Sequence, residues 1–329
     1  GKYFDKLPGA RRWLFRELPR GEDVSAAYNE WKTVAPLLLS AGMPVDKYAI
    51  DNMAIINGWM NTITPEVDDY LPPLSPEVLF WVAESMHGGY RYSEEGFSGF
   101  AYEYDFKSYY ADKMINREYP AGVPELKTLT SPDPNLLAIY RWSDGYYSGD
   151  RTINKKTRKL RSIAMDGEPN ALVWPDRIHG SEIFGQYIGK IYPLKEAGHG
   201  IAKSYLNVLT GLIGKYNWTY KDVEDAYTRG VNVKGRERAI SLDSIFKLPK
   251  YAHLYSFICL YGRQEMAQIH ESFGKDFKYA HTDGFLSTVE VDLDECNQGL
   301  SPSSIGYLRL VGSGNYTVHS GRKKMSEGS

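Results

Sequence analysis

Between Phe100 and Phe106 the chain alternates strictly. Phe100, Tyr102, Tyr104 and Phe106 take every second place, and Ala101, Glu103 and Asp105 fill the places between. A period of two fits a strand and no helix. Asp105 stands at the C-terminal end of this strand, and Ser108 is placed to cap a short helix after it. The surrounding elements keep no βαβ rhythm. Helical spacing runs from Ser25 to Ser40, with Gly42 as a stop, and from Tyr48 to Met60. Two prolines punctuate Leu71–Leu74, and Ser75-Pro76 then opens a helix with Ser at the N-cap and Pro at the first helical position. Residues 128–184 read as irregular, with a strand-like piece from Leu136 to Trp142. Helices follow over about 198–216 and 253–273, with a polar link over 217–245. A hairpin spans Lys278 to Asp292 and is expected to turn at Asp283-Gly284. From Gly321 on, the chain reads as a polar tail. Helices and strands mixed in this way predict an α+β fold with an antiparallel sheet.

Composition narrows the classes. With 39 basic and 41 acidic residues, bulk charge does not make the chain a polycation, so nucleic-acid contact must come from local basic patches. A hydrophobic share of 42% and an aromatic share of 14% are enough for a packed core. The two cysteines, Cys259 and Cys296, exclude a disulfide scaffold and point to a reducing, cytoplasmic setting. No apolar run is long enough to span a membrane, and the N-terminus shows no secretory pattern.

Three short constellations carry chemistry. In Tyr104-Asp105-Phe106-Lys107-Ser108-Tyr109-Tyr110, a strand-end carboxylate either closes a strand or holds a hard cation with help from a neighbouring carbonyl. His199, Lys203 and Asn207 recur every four residues on one helix face, which is either a solvated stripe or a phosphate-binding one. In Tyr279-Ala280-His281-Thr282-Asp283-Gly284, Asp283 either makes a turn or presents a carboxylate at a hairpin tip. Two carboxylates from separate strands can bind a metal pair for phosphoryl transfer, and a nearby Lys and aromatic ring complete a nucleotide site.

In this order the three segments resemble the motifs of family B DNA polymerases, most of all the compact, often protein-primed branch of phages and linear plasmids. Asp105-Phe-Lys-Ser108-Tyr-Tyr110-Ala111 is similar to motif A, Asp-x-x-Ser-Leu-Tyr-Pro. Lys203-Ser-Tyr-Leu-Asn207-Val208-Leu-Thr210-Gly211 keeps the frame of motif B, Lys-x-x-x-Asn-Ser-x-Tyr-Gly. Tyr279-Ala-His281-Thr282-Asp283-Gly284 stands at motif C, Tyr-x-Asp-Thr-Asp-Ser. Upstream, Met86-His87-Gly88-Gly89-Tyr90 resembles the template-strand motif Tyr-x-Gly-Gly. Tyr261-Gly262-Arg263 stands where relatives carry Gly-Arg or Ala-Arg, and Arg322-Lys323-Lys324 is similar to the primer-strand Lys-x-Tyr without its Tyr.

The resemblance implies a polymerase palm with helical fingers. A helical segment would occupy 1–74, the first palm part with an insertion 75–184, fingers 185–245, and the second palm part with a rudimentary thumb or tail 246–329. It implies Asp105 and Asp283 as catalytic metal ligands for two Mg²⁺ ions, which Mn²⁺ can replace, with the carbonyl of Phe106 assisting. Tyr110 would be the steric gate against a 2′-hydroxyl, Lys203 would hold the triphosphate, Asn207 would line the base-pair pocket, and Phe106 and Ser108 belong to the nucleotide site. Gly88, Gly89, Arg263, Lys323 and Lys324 would meet DNA. The basic run Lys155, Lys156, Arg158, Lys159 and Arg161, with Lys234, Arg236 and Arg238, either contacts the DNA backbone or is a solvated surface. The implied partners are primer-template DNA, deoxynucleotides, and a primer protein or second chain supplying thumb or exonuclease.

Departures accompany the match. His281 replaces the first Asp of motif C, Thr210 a Tyr, Val208 a Ser and Ala111 a Pro. The only Asp-x-Glu candidates, Asp166-Gly167-Glu168 and Asp222-Val223-Glu224, follow motif A, so no 3′→5′ exonuclease is expected within this chain. The rival readings are a non-catalytic polymerase-shaped binding protein, a primase or terminal transferase on the same palm, and a metabolic or carbohydrate enzyme.

Overall fold

The computed structural model describes residues 24–44, 52–149, 153–154, 159–160, 162–214, 218–220, 226–231, 237–241 and 250–325. The chain runs through α1 (Val24–Ser40), α2 (Asn52–Met60), α3 (Pro65–Asp69) and α4 (Pro76–Ser85), then β1 (Arg91–Ser93), β2 (Ser98–Phe106) and α5 (Tyr109–Ile115). Strands β3 (Glu118–Ala121), β4 (Glu125–Lys127), β5 (Leu137–Trp142), β6 (Gly145–Ser148), β7 (Ile153–Asn154), β8 (Lys159–Leu160), β9 (Ala171–Trp174) and β10 (Asp176–His179) precede α6 (Gly180–Glu196) and α7 (Gly200–Ile213). After β11 (Trp218–Tyr220), β12 (Ala226–Val231) and β13 (Glu237–Ser241) come α8 (Ala252–Phe273), β14 (Phe277–His281), β15 (Gly284–Ser287), α9 (Leu293–Cys296), β16 (Leu308–His319) and β17 (Arg322–Met325). Two compact units divide these elements. One takes Gly1–Met86 and Glu118–Ser256, the other His87–Arg117 and Phe257–Ser329.

In the first unit, α7 is amphipathic: Ala202, Tyr205, Leu206 and Leu209 are buried, while Lys203, Asn207 and Gly211 are exposed. It packs on α6, where the Tyr187 hydroxyl donates to the Tyr205 carbonyl at 3.1 Å and Trp59 of α2 stacks on Phe184 at 5.5 Å. Ser75 caps α4, accepting from the Val78 amide at 3.3 Å, with Pro76 behind it. Residues 128–184, expected to be irregular, hold instead a four-stranded antiparallel sheet in the order β4-β9-β5-β6 together with residues 125–127. The residues of β9 are buried on both sides, and so are nearly all of β5, so no period of two is visible there. Asp166, one of the Asp-x-Glu candidates, is bound by both terminal nitrogens of Arg141, at 2.7 and 2.5 Å. The link expected over 217–245 contains a three-stranded sheet, β11-β13-β12, whose shortest strand has three residues and therefore shows no period. Lys155, Lys156, Arg158, Arg161, Lys234, Arg236, Asp222 and Glu224 lie outside the described residues.

The second unit is a six-stranded antiparallel sheet, ordered β1-β14-β15-β2-β16-β17. The alternation of β2 sorts its two faces. Tyr104 packs with Phe277, Ala280, Phe285 and Leu308, partly exposed Tyr102 and Phe106 join them, and Met266, Ile269 and Phe273 of α8 cover this side. On the opposite face Ala101, Tyr279, Leu286, Tyr316 and Val318 form a smaller cluster. Beyond it Glu103 and Asp105 stand in an open cleft. The buried Asn297 side chain bonds both the amide and the carbonyl of Leu308, at 2.7 and 2.8 Å, and so anchors the start of β16.

The tail expected from Gly321 is in fact β17, paired to β16, with the Glu95 carboxylate accepting from the amides of Ser320 and Gly321 in the turn. Its charged composition is that of an edge strand, which resembles a solvated tail when read without its partner. Among the described residues no helix is long and apolar enough to cross a membrane.

Candidate active site

Asp105 is the penultimate residue of β2, flanked by two strands: its Cα partners are Gly284 of β15 and Arg309 of β16. Because Gly284 faces Asp105, the residue before it, Asp283, falls in the turn beside the strand end. There the Phe106 amide donates to the Asp283 carbonyl at 2.9 Å. The two carboxylates that stand 178 positions apart in sequence are thus brought to one end of one sheet by strand register. The hairpin loop is Thr282-Asp283, with His281 and Gly284 paired, one position earlier than the expected turn. Thr282 takes a φ of 64°, a strained conformation for a β-branched residue. Its amide is held by the Tyr90 carbonyl at 2.9 Å. Gly284 has another use: a Cβ there would lie 3.1 Å from the Tyr104 carbonyl oxygen and 3.7 Å from Asp105 Oδ1.

The cleft above these residues has a volume of about 540 Å³. Its charges are paired across strands. Arg309 donates to Asp105 Oδ2 at 2.7 Å. Lys323 reaches Glu103 Oε1 at 2.5 Å and lies 5.5 Å from the Tyr279 ring centre, while the Tyr316 hydroxyl donates to Glu103 Oε2 at 3.1 Å. Burial, together with Glu103, pushes the Tyr316 phenol up to about 12. Asp283 behaves differently. Burial first and the like charge of Asp105 second hold its carboxyl above the usual range, against weaker opposing pulls that include His281 and Lys323.

The same unit also holds Tyr110, Gly88, Gly89, Arg263, Ser108 and Lys324. Tyr110 is half-buried between two glycines: a Cβ on Gly89 would meet its hydroxyl at 2.8 Å, and one on Gly262 its ring at 3.5 Å. The Tyr109 hydroxyl donates to the Gly262 carbonyl at 2.6 Å. Gly89 also lies against Thr282, whose methyl would be 3.0 Å from the added carbon. Gly88 is different, since a Cβ there would meet nothing within 4 Å. Arg263, expected to meet DNA, donates to the backbone carbonyls of His87 and Gly88 at 2.8 and 3.1 Å, so it holds the glycine loop. Ser108 occupies the N-cap position of α5 but not the capping role: its φ is 52° and its side chain makes no cap bond. Lys324 is exposed on β17.

Lys203 and Asn207 belong to the first unit, exposed on α7, and His199 is its N-cap residue, just outside the helix. Three further residues of the second unit stand beside those of the motifs. Glu103 sits two places before Asp105, and the alternation of β2 already put the two on one side. Arg309 gives no local signal, because its partner is 204 positions away. Lys113 of α5 is 1% exposed and ion-paired to its neighbour Asp112 at 2.6 Å and to Glu265 at 2.7 Å, the second a contact between distant segments.

Among the described residues no group of three or more His, Cys, Asp or Glu side chains is gathered for a metal. Two carboxylates are what Mg²⁺ ordinarily takes from a protein when substrate phosphates and water complete its shell. The donor set therefore fits that ion, and the raised Asp283 carboxyl marks a place where added positive charge is favourable.

No protein-family profile matches this sequence, and no curated protein matches it. Solved structures do. Phi29 DNA polymerase complexed with primer-template DNA and incoming nucleotide substrates aligns with a TM-score of 0.60 at 16% identity, over 92% of this chain and 60% of that one. The same polymerase complexed with single-stranded DNA aligns at 0.59 and 18% identity, over 94% and 64%. The chain spans about three fifths of the length of the polymerase it matches. At such identity the likeness is one of fold: this chain has a DNA-polymerase-like α+β fold.

Proposed function

We propose that this protein is a template-directed DNA polymerase, similar to family B and its protein-primed branch, that adds deoxynucleotides to a primer 3′-hydroxyl. The observation that carries the reading is the register of β2, β15 and β16, which brings Asp105 and the Asp283 turn to one sheet end over an open cleft. The phi29 likeness supports it at the level of fold.

In this reading Asp105 and Asp283 supply the oxygens that hold two Mg²⁺ ions, with the Phe106 carbonyl beside them. The chemistry such ions supply is neutralisation of charge on the attacking and leaving oxygens of an in-line displacement. The protein's own part is positioning. Tyr110, backed by Gly89 and Gly262, presents a wall under the sugar that a 2′-hydroxyl would strike. Arg263 fixes the His87–Gly88 backbone, and the empty space over Gly88 lets a template phosphate come close. Lys323 offers positive charge on the cleft side. Primer-template DNA and deoxynucleotides are the proposed partners, and a primer protein or second chain is consistent with the protein-primed likeness.

Primer extension on a defined primer-template with Mg²⁺ tests this. Wild type should extend, and Asp105→Asn and Asp283→Asn should each lose at least about 10³-fold while still binding the duplex. Full activity in either variant overturns the proposal.

A further inference from the structure

We infer that Arg309 is a displaceable counter-ion of Asp105, so that binding of a divalent cation and release of the guanidinium form a single exchange at that carboxylate. The inference rests on the metal assignment proposed above and adds a competitor to it. Arg309 lies directly across from Asp105, on the neighbouring strand, with Nη2 at 2.7 Å from Oδ2. The other oxygen, Oδ1, faces the Gly284 side, towards the turn that carries Asp283. The bond therefore holds one carboxylate oxygen of the pair that the cation needs.

The two cation–carboxylate pairs of the cleft are not equivalent. Lys323 is held by two contacts: its side chain, 27% exposed, pairs with Glu103 and lies over the Tyr279 ring, and Glu103 is itself bound by the Tyr316 hydroxyl. The Arg309 side chain is 54% exposed, with Asp105 at 29%. Ion pairs this open contribute little, since water screens them and the long side chain gains rotamer freedom on release. Among the described residues no ion pair reaches Asp283. While Arg309 stays, Asp105 has a direct counter-ion, and Asp283 has only the weaker, more distant pulls of His281 and Lys323. When Arg309 swings away, neither carboxylate keeps a directly paired counter-ion, and a divalent ion is drawn to both. Arg309 thus lowers the cleft's affinity for a free metal ion and keeps Asp105 in place until that ion arrives.

Calorimetric titration of the full chain with Mn²⁺ alone, at low ionic strength and without DNA or nucleotide, tests this directly. Arg309→Gln should bind Mn²⁺ about three- to tenfold more tightly than wild type. Arg309→Lys, which keeps the charge but loses the planar fork, should show a smaller gain and serves if the glutamine variant does not fold. The gain must disappear when Arg309→Gln is combined with Asp105→Asn, because the exchange acts through that carboxylate. Equal or weaker Mn²⁺ binding in Arg309→Gln, or a gain that survives Asp105→Asn, overturns the inference and leaves the metal assignment standing. Absence of Mn²⁺ binding in wild type and both Arg309 variants overturns the two together.

Discussion

Tyr104 and Asp105 are neighbours in sequence and serve opposite faces of one sheet. Tyr104 is buried against Phe277 and Phe285 under α8, and its hydroxyl accepts from the Val291 amide at 2.8 Å. Asp105 faces an open cleft and shares its charge with an exposed Arg309. The aromatic face is held by packing, where every methylene removed leaves a void. The opposite face has only the smaller cluster of Ala101, Leu286 and Tyr316, and its charged end beyond that cluster carries partly exposed pairs that contribute little to folding. Asp283 goes further and is unfavourable in the fold, because burial and Asp105 both oppose its charge. The difference between the faces is one between stability and chemistry: the aromatic side keeps the sheet together so that the other can hold charges that a stable fold would avoid.

Asp283→Asn should break that balance most sharply. Nucleotidyl transfer should fall at least about 10³-fold, as in steady-state extension with Mg²⁺. The same variant, without metal, should unfold at higher denaturant than wild type at pH 7. The sign follows from linkage. A carboxyl raised in the folded state favours folding when protonated, so this group's contribution is lost as the pH rises from its ordinary value through the folded one. The advantage of the variant should therefore shrink as the pH is lowered towards about 4. A variant less stable than wild type at pH 7 would show that Asp283 supports the fold rather than straining it.

Phe285→Ala probes the opposite face. Its ring stacks on Tyr104 at 5.1 Å and Phe277 at 5.6 Å, and loss of a buried Phe costs about 3–5 kcal/mol. Urea unfolding measures it. A loss below about 1 kcal/mol would mean that α8 does not seal this side.

Gly89 and Gly88 sharpen the comparison at closer range, because adjacent glycines meet opposite surroundings. A Cβ on Gly89 collides with Tyr110 and Thr282, so Gly89→Ala should destabilise by about 1–3 kcal/mol and weaken discrimination between deoxy- and ribonucleotides. Gly88→Ala meets open space and should leave stability within about 0.5 kcal/mol while weakening duplex binding. Equal effects on stability would remove the distinction.

These contrasts also show which parts of the molecule could be read from the chain. The alternation of β2, the cap at Ser75 and the helices α7 and α8 are local patterns, and each formed close to its expected bounds. The turn at motif C was displaced by one residue because Gly284 serves the close approach of Tyr104, not the turn, while Thr282 takes the left-handed conformation that turn chemistry assigns to Gly or Asn. β5 and β9 were hidden by burial on both sides, and β17 by looking like a charged tail. Asp105 and Asp283 were legible as candidates, since a carboxylate at a strand end and another at a hairpin are visible locally. Arg309 was not, because only the register of β16 against β2 creates its pairing.

Glu103→Gln is the mildest test and the most direct check of how the open face is held. Glu103 binds Lys323 and Tyr316, yet both acid and base are about one quarter exposed, so water already shares the charge. The amide can still accept from Tyr316. The expected loss of stability is within about 1 kcal/mol, read by chemical denaturation. Duplex binding at low salt should tighten slightly, because one negative charge leaves a cleft in which Lys323 remains. A loss above about 3 kcal/mol would place Glu103 with Tyr104 and Phe285 as part of what holds the sheet, and the division between a stabilising face and a chemical one would no longer follow the alternation of β2.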